Sequence, residues 1–176
     1  MRLATTDRPL IVGPDVPEPP YPIRLGGPVV PGFGRGSKEL QIPTANIPID
    51  DSQVGGATID SGIYFGFASL SLDEELVPNN VFPMVMSVGW NPYYKNEKRS
   101  VEVHIVHSFE KDFYGKEMRL CILGWIREEF DYVSKEALIE DIRHDIKIGV
   151  ESLKREGYSR FKEDGYLLGV GKEEKN

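Results

Sequence analysis

Residues 62–70, 82–90, 100–108 and 119–127 form four short segments rich in β-branched and aromatic residues, each bounded by turn-forming sequence. They predict strands. The stretches between them suit turns: residues 71–80 carry Asp73, Glu74 and Glu75 and then Pro78, Asn79 and Asn80, and residues 91–99 open on Asn91-Pro92. Strand and turn lengths together point to an antiparallel meander or barrel. The 18 glycines and 13 prolines fall largely between such runs, which argues against an all-helical chain.

After the last strand the period changes. Leu138, Ile142, Ile146, Gly149 or Val150, and Leu153 recur every three or four residues, the stripe of an amphipathic helix. Ser134 is the expected N-cap with Glu136 in the first turn, and Gly157 the expected C-terminal stop. Six prolines in the first 22 residues keep the N-terminal arm extended, as a surface wrap or a mobile tail. A short strand is expected at Val29 and Val30, and a docked strand or frayed end over residues 157–176. The organisation expected is an arm (1–22), one barrel domain with its helix (23–157) and a tail (158–176).

Composition narrows the function classes. With 176 residues, 40% hydrophobic and 28% charged, the chain can bury its own core. A net charge of −7 and a pI near 5.1 argue against a nucleic-acid partner. The single cysteine, Cys121, excludes an internal disulfide framework and a multi-Cys zinc site, and reads as a small buried residue. The start of the chain, Met1 to Asp7, lacks the apolar run of a secretory signal, and no window holds 18 uninterrupted apolar residues. A cytoplasmic protein with no membrane span is expected. A monomer is the default, since a closed barrel has no free sheet edge.

Three stretches offer chemistry. Gly32, Gly34 and Gly36, interleaved with Arg35 and Lys38, could bring backbone N–H groups and two cations to an anion, or form a plain surface turn. They match neither a P-loop nor G-x-G-x-x-G. In Pro43-Thr44-Ala45-Asn46, an extended backbone puts Thr44 and Asn46 on one face. Their neutral oxygens suit a hard cation already carried by a nucleotide, or ordinary turn hydrogen bonds. In the run from Val101 to His107, Val101, Val103, Ile105 and His107 share one face of a strand, and Glu102, His104 and Val106 the other. A carboxylate in an apolar strand is costly to bury unpartnered, so Glu102 reads either as a general base or as an acid paired with Arg99 or Lys98. Zinc is disfavoured, because His104 and His107 lie on opposite faces. His144 reads as a solvated residue. Trp90, Tyr93, Tyr94, Trp125 and Tyr132 belong to the core or stack a flat heterocycle.

Taken in order, these pieces resemble one family. Gly32-Phe33-Gly34-Arg35-Gly36-Ser37-Lys38, Ile42-Pro43-Thr44-Ala45-Asn46-Ile47, the run from Ser87 to Asn96, Glu102-Val103-His104-Ile105 and Phe113-Tyr114-Gly115 look like riboflavin kinase of the monofunctional eukaryotic type, from about Ile23 to Leu153. The resemblance implies a six-stranded antiparallel Greek-key β-barrel with a C-terminal α-helix. It implies transfer of the γ-phosphoryl group of ATP to the ribityl 5′-hydroxyl of riboflavin, giving FMN and ADP. Glu102 falls on the family's catalytic glutamate. Gly32, Lys38, Thr44, Asn46, Ile105, His107 and Tyr114 fall on ATP-binding positions, Thr44 and Asn46 also holding Mg2+, with zinc or another divalent ion as the substitute. Arg127, Glu129 and Tyr132 fall on the flavin side, Glu128 to Val133 differing in detail from the family. Gln41 departs from the glycine common before Ile-Pro-Thr. No adenylyltransferase domain is expected, and hence no FAD synthesis. The competing reading is a non-catalytic flavin-binding barrel, which would not need Lys38, Thr44, Asn46 and Glu102 together.

Overall fold

A computed structural model describes residues 3–30, 44–48, 59–70, 80–90, 99–107 and 116–168. Six strands, β1 (Ile23–Pro28), β2 (Ala45–Pro48), β3 (Gly62–Leu70), β4 (Val81–Trp90), β5 (Arg99–Ile105) and β6 (Glu117–Arg127), precede helix α1 (Lys135–Leu153). Two short helices, α2 (Glu156–Ser159) and α3 (Gly165–Leu168), follow, joined by a 3-10 turn at Arg160–Glu163. The strands form one antiparallel sheet in the order β1-β6-β3-β4-β5-β2. β3, β4 and β5 are a meander and β6 returns beside β3, a Greek-key arrangement. The two edges of the curled sheet meet where Val30, just past β1, donates its N–H to the Asn46 carbonyl at 2.9 Å. The expected mainly-β fold with a C-terminal helix is the one found.

β3 shows why this sequence makes a covered barrel. All nine of its residues, Gly-Ile-Tyr-Phe-Gly-Phe-Ala-Ser-Leu, are buried. Side chains alternate across a strand, so Tyr64, Ala68 and Leu70 enter the barrel interior with Leu25, Met86, Val103 and Leu120. Phe65 and Phe67 face outward into a second cluster with Cys121, Leu123, Leu153, Tyr158 and Leu167. One strand therefore serves two cores, and each fully buried large side chain contributes about 1.5–3 kcal/mol. Cys121 is one of those outward residues and fully buried, as expected; burial, with the Asp164 charge, pushes its thiol up to about 12, so it is inert at neutral pH.

α1 starts where expected, Ser134 Oγ accepting the Ala137 N–H at 3.1 Å. It lies so close to the sheet that a Cβ on Gly149 would sit 2.8 Å from Val85 Cγ2 and 3.3 Å from Phe65 Cβ. Gly157 does not end it. The chain leaves the helix at Lys154, Arg155 turns extended, and Gly157 falls within α2.

Other expectations need correction. β1 lies at Ile23–Pro28 rather than at Val29 and Val30, which continue as single pairings to Lys116 and Asn46. β5 ends at Ile105, where the Val106 N–H turns to the Pro83 carbonyl and the His107 N–H to the Ile105 carbonyl, so His107 leaves the strand and its face. Residues 157–168 dock as short helices, with Tyr158 and Leu167 buried, rather than as a strand. The arm is a wrap: Val12 N–H donates to Ser152 Oγ, Arg155 donates to the carbonyls of Val12, Gly13 and Pro14, and Tyr158 Oη donates to Pro14. It covers His144, which is buried and donates from Nε2 to the Arg8 carbonyl at 3.0 Å instead of facing water. Among the described residues, no helix is long and apolar enough to cross a membrane.

Gly149→Val should overpack this contact and lower stability by about 1–3 kcal/mol. In urea unfolding the midpoint should fall with the slope unchanged.

Candidate active site

The row of residues across β2, β5 and β4 is fixed by register. Asn46 is opposite Glu102, and Glu102 is opposite Ser87, so the three side chains project from the same outer face. The neighbouring row, Ala45, Val103 and Met86, packs the barrel interior. This alternation puts the half-buried Glu102 outside the apolar core on which its strand rests. Lys98, one proposed structural partner for Glu102, lies outside the described residues.

A cavity of about 490 Å³ opens between that face, α1 and the connection after β6. Its floor includes Thr44, Ser87, Glu102 and His104. Its far wall is Leu138, Ile142 and Ile146 of α1, and Arg127, Glu129, Phe130 and Tyr132 close one end. The sheet side mixes these polar groups with Ile63, Val85 and Met86, and the helix side is apolar apart from Asp145, a lining suited to a ligand with a flat apolar part and a polar arm. Of the residues expected at the site, Thr44, Glu102, Arg127, Glu129 and Tyr132 line this one cavity. Asn46 is 6% exposed and enters the ensemble through its pairing with Glu102.

Ile105 and His107 do not line the cavity. Ile105 points into the barrel core, and His107 is exposed and stacks on Phe82 with ring centroids 4.3 Å apart. Gly32, Lys38 and Tyr114, together with Tyr93 and Tyr94, lie outside the described residues. Trp125 packs edge-on against Tyr64 at 5.1 Å, away from the cavity.

Electrostatics concentrate at the Arg127 end. Arg127 donates to Asp145 of α1 from Nε at 3.0 and 3.1 Å and from Nη2 at 2.8 Å, and from Nη1 to the Glu128 carbonyl at 3.0 Å. Arg8 from the arm adds Nη1 to Asp145 and Nη2 to Asp141, both at 2.8 Å. The Tyr132 hydroxyl donates to Asp141, whose other oxygen accepts the Thr5 N–H at 3.0 Å. Burial works against the Arg127 charge, but hydrogen bonds to Asp145 and the surrounding carboxylates outweigh it and raise its pKa further. Burial likewise opposes the Asp141 charge, yet the Tyr132 and Thr5 hydrogen bonds and both guanidiniums hold its carboxyl below the ordinary value. Tyr132 is pushed the other way, by burial first and then by its bond to Asp141, and stays a protonated donor. Glu129 is raised by burial and by the charge of Glu102, with Arg127 opposing. Its carboxylate packs on Gly89, where a Cβ would lie 2.5 Å from Glu129 Oε1, so a side chain there would displace it.

Sequence reasoning did not single out Asp141, Asp145 or Phe130. The two aspartates stand one turn apart on the side of α1 that reads as solvent-facing, and Arg127, Tyr132 and the arm's Thr5 and Arg8 together make that side an interior. His104 carried a signal, since it shares a strand face with Glu102.

For the implied divalent cation, the residues fit. Thr44 and Asn46 offer neutral, hard oxygens from one side of β2, a donor set for Mg2+ rather than for zinc, and Asn46 is already withdrawn from bulk water. Among the described residues, no three His, Cys, Asp or Glu side chains cluster to hold a metal by themselves.

The depressed pKa of Asp141 has a sign. Its stabilisation is complete above the unfolded carboxylate value near 4 and is lost as pH falls through the lower folded value. Asp141→Asn should cost about 1–3 kcal/mol at pH 7. Denaturant titrations should show the gap to the parent closing below about pH 4.

The chain is similar to known proteins over most of its length. The riboflavin kinase (flavokinase) family model matches residues 19–153. The chain is 51% identical over 164 residues to a riboflavin kinase of Pyricularia oryzae, covering 87% of this chain and 82% of that one. It is 46% identical over 191 residues to one of Aspergillus terreus, covering 96% and 90%. The crystal structure of riboflavin kinase from Trypanosoma brucei shares the fold, with a TM-score of 0.66 at 24% identity over 85% of this chain and 91% of that one. The chain belongs to the riboflavin kinase family.

Proposed function

We propose that this chain phosphorylates riboflavin with ATP to give FMN and ADP, and that the cavity between β5 and α1 is where it does so. The observation that carries the reading is the convergence of Glu102 and Thr44 with Arg127, Glu129 and Tyr132 on one cavity, from three separate parts of the chain. A flavin-binding barrel without catalysis would need the apolar wall and the Arg127 end, but not a carboxylate and a hydroxyl on the sheet side.

In this reading the isoalloxazine rests against Leu138, Ile142 and Ile146, with Arg127, Glu129 and Tyr132 at its polar edge, and the ribityl chain runs toward Glu102. Glu102 takes the proton of the 5′-hydroxyl while that oxygen forms its bond to the γ-phosphorus. The bond from the γ-phosphorus to the β–γ bridging oxygen breaks in line, and ADP leaves with the electron pair. Thr44 and Asn46 would hold the nucleotide's Mg2+, which would supply charge neutralisation at the phosphate oxygens. Gly32, Lys38, Ile105, His107 and Tyr114 are assigned to the nucleotide side. The partners are small molecules, and a monomer suffices.

Glu102→Gln keeps the shape and removes the base. Turnover should fall roughly 10²- to 10⁴-fold while riboflavin and nucleotide dissociation constants stay within about twofold. Parent-like turnover would remove Glu102 from the mechanism.

A further inference from the structure

The arm does more than cover α1. We propose that Arg8 is a positioning residue for the riboflavin end of the cavity, acting through Arg127 and Tyr132; the inference rests on the placement of riboflavin given above. Arg8 does not itself line the cavity; it reaches it through Asp145, which does. It shares Asp145 Oδ1 with Arg127 and Asp141 Oδ1 with the Thr5 N–H, while Tyr132 holds the second Asp141 oxygen. Two arginines and two aspartates therefore balance their charges in an environment where the aspartate side chains are 0% and 2% exposed.

That balance sets where Arg127 points. Its Nε already lies 4.0 Å from Asp141 Oδ2, a separation that Arg8 maintains by satisfying Asp141 itself. Without the Arg8 charge, a buried carboxylate pair faces a single guanidinium, and Arg127 is drawn from the cavity edge toward α1. Tyr132, bonded to the same Asp141, moves with it. Arg8 is itself fixed, Nε donating to the Thr5 carbonyl at 2.7 Å and its own carbonyl accepting from His144. An arm more than 130 residues away in sequence thus completes the wall that meets the flavin.

The test is a double-mutant cycle in the full chain with riboflavin and ATP kinetics. Arg8→Met keeps the stem and removes the charge. It should raise the riboflavin KM at least about tenfold while leaving the ATP KM within about twofold, and Arg8→Lys should recover part of the loss. In an Arg127→Met background the Arg8→Met effect should disappear, because its route is gone. Additive effects, or equal rises in both KM values that track a fall in Tm, would overturn the proposal and leave Arg8 a fold residue. Should Arg127→Met alone leave the riboflavin KM unchanged, the riboflavin placement itself falls, and the role of Arg8 with it.

Discussion

The ion pair between Arg127 at the end of β6 and Asp145 in the middle of α1 ties the barrel to its helix at one end of the cavity. Arg127 is 8% exposed, so its charge is tolerable only with the bidentate contact to Asp145. Together with the close packing of Gly149 on Val85 and Phe65, the contact holds the helix wall bearing Ile142 and Ile146 opposite the sheet face bearing Glu102. Break it, and the cavity loses its end. Buried ion pairs are rarely a net gain over apolar packing, which makes their geometry, more than their energy, the reason to have one here.

Apolar packing supplies the stability that this polar cluster does not. β3 fills the barrel with one face and seats α1 and the C-terminal helices with the other, through Phe65 and Phe67. Gly149 then lets the helix settle directly on Val85 and Phe65. The sheet is thereby rigid on both sides of β4 and β5, and reactive groups on those strands are held by the fold rather than by a loop.

β3 and β6 were legible because both their faces are largely buried, which leaves nearly continuous apolar runs, and β5 because its buried Val101, Val103 and Ile105 alternate with half-buried Glu102 and His104. β1 was not, since Ile23–Pro28 carries two glycines and buries only Leu25. α2 and α3 are four residues each, too short for any period to show. Glu102 was legible for a physical reason: a carboxylate between valines needs an explanation. Asp141, His144 and Asp145 were not, because the polar side of α1 is covered by a segment from the far end of the chain. Periodicity reports a residue's neighbours on its own element and is silent about a strap arriving from elsewhere. The expectation that His107 continues the face of β5 failed for a related reason, a tight turn at Ile105 that its apolar spacing concealed.

The most direct test is to incubate the purified chain with riboflavin and ATP, with magnesium and then with chelator, and to separate the flavins by chromatography. FMN and ADP appearing in equal amounts, with no FAD and only when the divalent cation is present, is the result expected. Riboflavin retained by the chain but never phosphorylated, under conditions where ATP also binds, would contradict the account and leave a flavin-binding barrel.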